Sequence, residues 1–202
     1  MSNYLFESFS QSTRERILAA TLDLLGRADG PIAMGAIAKA AGVSRQTLYL
    51  LFADRADLFV ALVRYVDEKR GLATELGRID AAPSGVSALA LMVDLQARHN
   101  PGLKPVADAF ELLRRQDPGV QQGWQDRLDN RLRGCRAIVG RLAADGTLKV
   151  GLDQDVAADL VWSMTSLRMW DDLVAQRGWT ADQYRERVMD LLKAAVVEPG
   201  RG

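Results

Sequence analysis

The chain has 202 residues, 48% of them hydrophobic, with 26 basic side chains against 26 acidic ones and a formal net charge of zero. That apolar content supports a real core, enough for one small domain and one larger one, and the neutral balance means that any attraction to a polyanion must come from a local patch. The single cysteine, Cys135, excludes an intramolecular disulfide. No charged-then-apolar leader opens the chain and no apolar run approaches the roughly 18 residues that cross a bilayer, so a cytoplasmic location away from membranes is expected.

In chain order, residues 1 to 11 read as a frayed end, and Thr13 as the cap of a helix to about Gly26 with Ile17, Ala20 and Leu24 as its inner stripe. The run from Ile37 to Phe52 reads as two short helices broken by Gly42, a helix-turn-helix. Asp54 and Asp57 form a capping-box-like pair opening a long helix to about Leu72. After the break at Asp80 to Gly85, helices are predicted for Val86 to His99, ended by Asn100-Pro101-Gly102, and for Lys104 to Arg115, ended by Gln116-Asp117-Pro118-Gly119. Three more follow, from Val120 to Ala144, Gln154 to Gln176 and Ala181 to Val197. In the first of these, Arg127, Arg131, Arg133, Arg136 and Arg141 suggest one face in water.

The chemistry of the motif lies in what its second helix leaves outward. Ser44 is a good cap, and Leu48 and Phe52 recur at helical spacing toward the interior, leaving Arg45, Gln46, Thr47 and Tyr49 exposed. Arginine forks to guanine, glutamine bridges adenine, threonine meets a thymine methyl or a phosphate, and tyrosine reaches a backbone oxygen. With Arg14, Arg16, Lys39 and Arg55, Arg45 supplies a local basic patch. Taken alone, the pattern also fits an ordinary helical hairpin with a solvated polar face.

The segment from about Thr13 to Tyr65 resembles the N-terminal domain of the TetR family of bacterial transcription regulators, through Ile37-Ala38, Ala41-Gly42-Val43-Ser44, Thr47-Leu48-Tyr49, Phe52 and Arg55 with Leu58. The resemblance implies an all-α homodimer, in which a three-helix DNA-binding domain, residues 12–62, is joined by a long helix to a helical ligand-binding and dimerisation domain, residues 63–197. It also implies recognition helices in successive major grooves of palindromic double-stranded DNA, with Lys39, Ser44, Arg45, Gln46, Thr47, Tyr49 and Arg55 as DNA-binding residues. The chain departs from the family pattern at Ala33, where a Ser or Thr usually caps the first helix of the motif, and at Leu50-Leu51, where a polar residue usually precedes the Phe.

Farther on, Met92, Phe110, Trp124, Trp162 and Met169 are large or adaptable side chains on separate helices, candidates for the lining of an apolar effector site. Leu160, Met164 and Leu167 on one helix, and Val188, Leu191 and Leu192 on the last, form stripes wide enough to pack against both the core and a twin subunit. Catalysis is not expected. His99 and Cys135 fall on different helices, no metal-binding spacing or phosphate loop occurs, and neither metal nor cofactor is anticipated. The competing reading is a helical interaction module whose helix-turn-helix no longer reads DNA.

Overall fold

The computed structural model describes residues 2–27, 32–113 and 118–200. These are helical almost throughout, and among them the only extended pairing is a single antiparallel bridge between Leu148 and Val197. The chain divides into two compact units, one of Met1–Arg70 with Pro105–Gln125 and the other of Gly71–Lys104 with Asp126–Gly202. The first unit thus takes in one later stretch of chain.

In the first unit, helices α1 (Ser2–Leu25), α2 (Met34–Ala40), α3 (Arg45–Leu51) and α4 (Arg55–Lys69) close over Ile17, Ile37, Leu48, Phe52, Leu58 and Leu62, all fully buried. Helix α1 starts well before the expected Thr13, because nothing from residue 2 to 25 is Gly or Pro and so nothing interrupts it. Thr13 is buried inside the helix rather than capping it. Asp54 does cap α4, accepting from the Asp57 amide at 2.8 Å, while Asp57 accepts at 3.1 Å from the amide of Ala53, one residue ahead of the cap, so the pair is capping-box-like. That helix stops at Lys69, short of Leu72. Gly71 takes a left-handed φ of 65° that a residue with a Cβ resists, and a separate helix α5 (Leu72–Asp80) restarts behind it.

Two sequence-predicted breaks fall differently in the rest of the chain. Asn100-Pro101-Gly102 ends nothing, for α6 runs unbroken from Gly85 to Leu113. Pro101 forfeits one backbone hydrogen bond, but Leu95, Ala97, His99 and Asn100 before it and Leu103, Val106 and Ala107 after it are all buried, so packing holds the helix through the proline. The expected end of the following helix at Gln116-Asp117 lies outside the described residues. Helix α7 (Pro118–Ala144) ends where Asp145-Gly146 predicts.

Conversely, the helix expected from Gln154 to Gln176 is broken into α8 (Gln154–Met164), α9 (Leu167–Trp170) and a π-helical segment Asp171–Gln176. The cause is side-chain competition for backbone groups. Thr165 Oγ1 donates to the Val161 carbonyl at 2.7 Å, and Arg131 Nη2 donates at 2.6 Å to the Trp162 carbonyl, which a continuing helix would use for the residue 166 amide. Ser166 then caps the new start, accepting from the Met169 amide at 3.1 Å. The last helix, α10 (Ala181–Val196), opens on a full capping box of Thr180 and Gln183.

Two further expectations are corrected. Of the α7 arginines assigned to water, Arg136 is exposed and pairs with Asp155, but Arg131 turns inward, and Arg141 donates to the Ile79 carbonyl at 2.8 Å and to that of Ala82, tying down the end of α5. Of the proposed subunit contacts on α10, Val188 and Leu192 have no exposed surface, because they fill the second unit's own core beside Tyr184 and Val196; Leu191 remains outward at 46% exposure.

Candidate nucleic-acid interface

The turn of the motif is made by backbone geometry. Gly42 sits at φ 63°, its amide donates to the Lys39 carbonyl at 3.2 Å and the next amide, of Val43, donates to the Ala38 carbonyl at 3.0 Å. This paired reversal closes α2 and lets α3 begin at once. Ser44 caps α3 by accepting from the Thr47 amide at 3.0 Å, and the Ser44 and Thr47 hydroxyls lie 2.9 Å apart. Helix α2 has no such help, since Ala33 stands at its cap position with no side-chain acceptor.

With Leu48 buried, α3 turns Arg45, Gln46, Tyr49 and Leu50 outward, Tyr49 at 51% and Leu50 at 78% exposure. Lys39 is exposed on α2, and Ser44 is exposed at the cap. The Arg45 guanidinium lies across Gly35, where a Cβ would stand 2.6 Å from Nη2, so a glycine in α2 gives that side chain its room. These residues share one motif and one exposed surface.

Two arginines of the sequence-predicted basic patch have internal work instead. Arg14 on α1 donates to the Leu51 carbonyl at 2.8 Å and lies 4.3 Å over the Phe52 ring, fastening the last turn of α3 to α1. Arg55 is half-buried, donates to the Ile32 carbonyl just ahead of α2 and stands near the Phe59 ring. Neither bond is visible in sequence, because each joins residues far apart along the chain. Arg55 thus orients the approach to α2, whereas Lys39 and Arg45 keep their charges at the surface.

The candidate effector residues divide between the two units. Phe110 and Trp124 belong to the first unit, where Phe110 meets Phe59 edge-on at 5.7 Å and Trp124 at 5.4 Å. Met92, Trp162 and Met169 belong to the second unit's core. What sequence reasoning missed there is Arg131, whose guanidinium lies 4.6 Å from the Trp162 ring centroid and donates to Thr165 Oγ1 at 3.1 Å. Burial holds its pKa below the usual arginine range and pushes the nearby Cys135 thiol up to about 11 and the Tyr184 phenol up to about 12. At the surface of the same unit Asp94 joins Arg98 and Arg185, and Arg98 also pairs with Glu75 at 2.7 Å, linking α5, α6 and α10.

A short helix locked at both ends, with a polar outward face and a fastened interior, completes the geometry of a helix-turn-helix. Residues 17–62 match the family described as bacterial regulatory proteins, tetR family. A curated relative, the HTH-type transcriptional repressor LfrR of Mycolicibacterium smegmatis, is 41% identical over 83 residues, which cover 37% of this chain and 44% of that one. The match thus spans under half the length of that relative. Over nearly the whole chain, the fold is similar to that of a regulator from Saccharomonospora viridis in complex with choline (TM-score 0.74, 18% identity, covering 93% of this chain and 99% of that one). It is also similar to that of FadR from Bacillus subtilis in complex with stearoyl-CoA (0.70, 22%, 88% and 96%). Residues 17–62 are thus similar to the N-terminal domain of the TetR family, and the all-α fold over the described residues is similar to that of the solved TetR-type regulators. No helix among the described residues is long and apolar enough to cross a membrane.

Proposed function

We propose that this chain is a ligand-responsive transcriptional repressor, cytoplasmic and without catalytic activity, that binds palindromic operator DNA as a homodimer. The observation that carries the reading is the rigidly seated α3, with Arg45, Gln46 and Tyr49 outward and both ends fixed by Ser44 and Arg14. Arg45 and Gln46 read base edges, while Lys39, Ser44, Thr47 and Tyr49 meet the phosphate backbone and Arg55 sets the approach to α2. Leu160, Met164 and Leu167, half-buried, and Leu191 supply the subunit contact.

The effector is a small, largely apolar molecule held in the second unit near Met92, Trp162 and Met169. Helices α6 and α7 contribute residues to both units, and on those same helices Phe110 packs with Phe59 of α4 and Trp124 packs with Phe110. A ligand that shifts α6 or α7 therefore moves the packing partners of α4. Two half-sites one turn apart require about 34 Å between recognition helices, so a change of a few ångströms breaks contacts on one of them. Linkage then requires that operator DNA weaken effector binding by the same factor.

Selection of bound fragments from random DNA tests the reading. A palindromic consensus with half-sites about ten base pairs apart supports it; no enrichment at any salt concentration would favour the interaction module, which the uncapped Ala33 and the exposed Leu50 also fit.

A further inference from the structure

Around Arg131 the second unit collects hydrogen-bond donors without a matching acceptor. Arg131 uses two of its N–H groups on the Trp162 carbonyl and Thr165 Oγ1. The Trp162 Nε1 donor, on the ring beneath that guanidinium, is buried and meets no partner among the described residues. The Tyr184 hydroxyl, on a side chain with no exposed surface, is likewise buried and unpartnered, and lies within range of the Arg131 charge. Leaving one such group unsatisfied is costly, and here two cluster beside a desolvated cation.

Among the described residues no carboxylate is paired with that cation; Asp94 pairs with Arg98 and Arg185, Asp155 with Arg136, and Asp171 with Lys104. The groups whose charges act on Arg131 are Cys135, Tyr184 and Arg127, of which the first two stay protonated at neutral pH and the third adds a second positive charge. Gly134, one turn along α7 from Arg131, carries no side chain, and Met92 Cε stands 4.0 Å from where its Cβ would be, so that flexible apolar side chain is on the same side of α7.

We propose that the effector carries a carboxylate, received by Arg131, the Tyr184 hydroxyl and Trp162 Nε1, with its apolar body against Met92. The inference rests on the reading of the second unit as an effector site and adds the charge of the ligand to it. A carboxylate brings several acceptor positions and one negative charge, which answers all three donors at once. An apolar ligand answers none.

The test uses the full-length protein and three carboxylates, hexanoate, decanoate and benzoate, each against the alcohol of the same skeleton, by calorimetric titration and thermal shift. At least one carboxylate should bind about tenfold or more tightly than its alcohol, the range of a charge-assisted hydrogen bond. Arg131→Gln should erase that preference while leaving alcohol binding in place. Tyr184→Phe removes only an oxygen that no protein group uses, so it should melt at or above the wild-type temperature and yet bind the carboxylate several-fold more weakly. A purely structural tyrosine would not give that split, and the variant serves if Arg131→Gln does not fold. Alcohols that bind as tightly as carboxylates, or carboxylate binding that neither variant changes, would overturn the carboxylate and leave the effector reading standing. If no probe of either series binds, both fall.

Discussion

The two units put the same side chain to different uses. In the first, Arg14 and Arg55 each satisfy a backbone carbonyl at the margin of the motif, and their effect is to hold an exposed face still. In the second, half-buried Arg131 also holds carbonyl and hydroxyl groups, but next to donors that meet no partner among the described residues. An arginine fastened to carbonyls at an edge stabilises a surface for a large, rigid partner. One left among unmet donors in an interior favours a small partner that brings its own acceptors.

The largest expected effect bears on the core of the first unit. Phe59→Ala removes a ring that is 1% exposed and in edge contact with Phe110, and should cost about 3–5 kcal/mol in urea unfolding. A cost under 1 kcal/mol would show that α4 is not anchored through Phe110.

Next comes the division of labour among arginines. Arg45→Ala should leave the melting temperature unchanged and relax base preference at one operator position by about 1–3 kcal/mol. Arg14→Ala should do the reverse, lowering the melting temperature and weakening all DNA sequences alike, since its partners are Leu51 and Phe52. Binding of wild-type and variant proteins to a set of single-base operator variants separates the two; equal behaviour would erase the distinction between reading and fastening. The cap is smaller. Ser44→Ala should cost about 1 kcal/mol, measured by thermal unfolding, with a matching loss of DNA affinity.

The smallest effect is electrostatic and confined to the second unit. The hydrogen bond from Arg98, with the charges of Arg98 and Arg78, holds the Glu75 carboxyl below its usual pKa of 4.5. A depressed carboxyl contributes stability that is present above the unfolded value and lost as pH falls through the folded one. Wild-type protein should therefore lose slightly more stability than Glu75→Gln on acidification below about pH 4.5, and should show no such difference between pH 6 and 8. A difference that persists at neutral pH would assign Glu75 a role other than its charge.

Where the chain could be read directly, its signals act over four or five residues. Gly42 with Ser44 makes the turn, Asp54 with Asp57 opens α4, and Asp145-Gly146 closes α7, each a contact between neighbours that any copy of the same short segment would make. The outward set on α3 follows from them, because helical spacing places Arg45, Gln46 and Tyr49 opposite Leu48. For the same reason the all-α class and the second helix of the motif were legible without coordinates.

Tertiary structure decided what depends on distant partners. Pro101 sits inside α6 because buried residues on both sides outweigh the bond it forfeits, and Thr165 breaks the next predicted helix because an arginine 34 positions away joins it in claiming backbone and hydroxyl groups there. Val188 and Leu192 read as a possible partner surface, yet the chain covers them itself. Arg131 read as a solvated charge, yet it is half-buried and donates to Thr165 and to the Trp162 carbonyl. Periodicity reports which residues avoid water; it does not report which surface excludes it or which carbonyl an arginine will find, and those are set only when segments far apart in sequence meet.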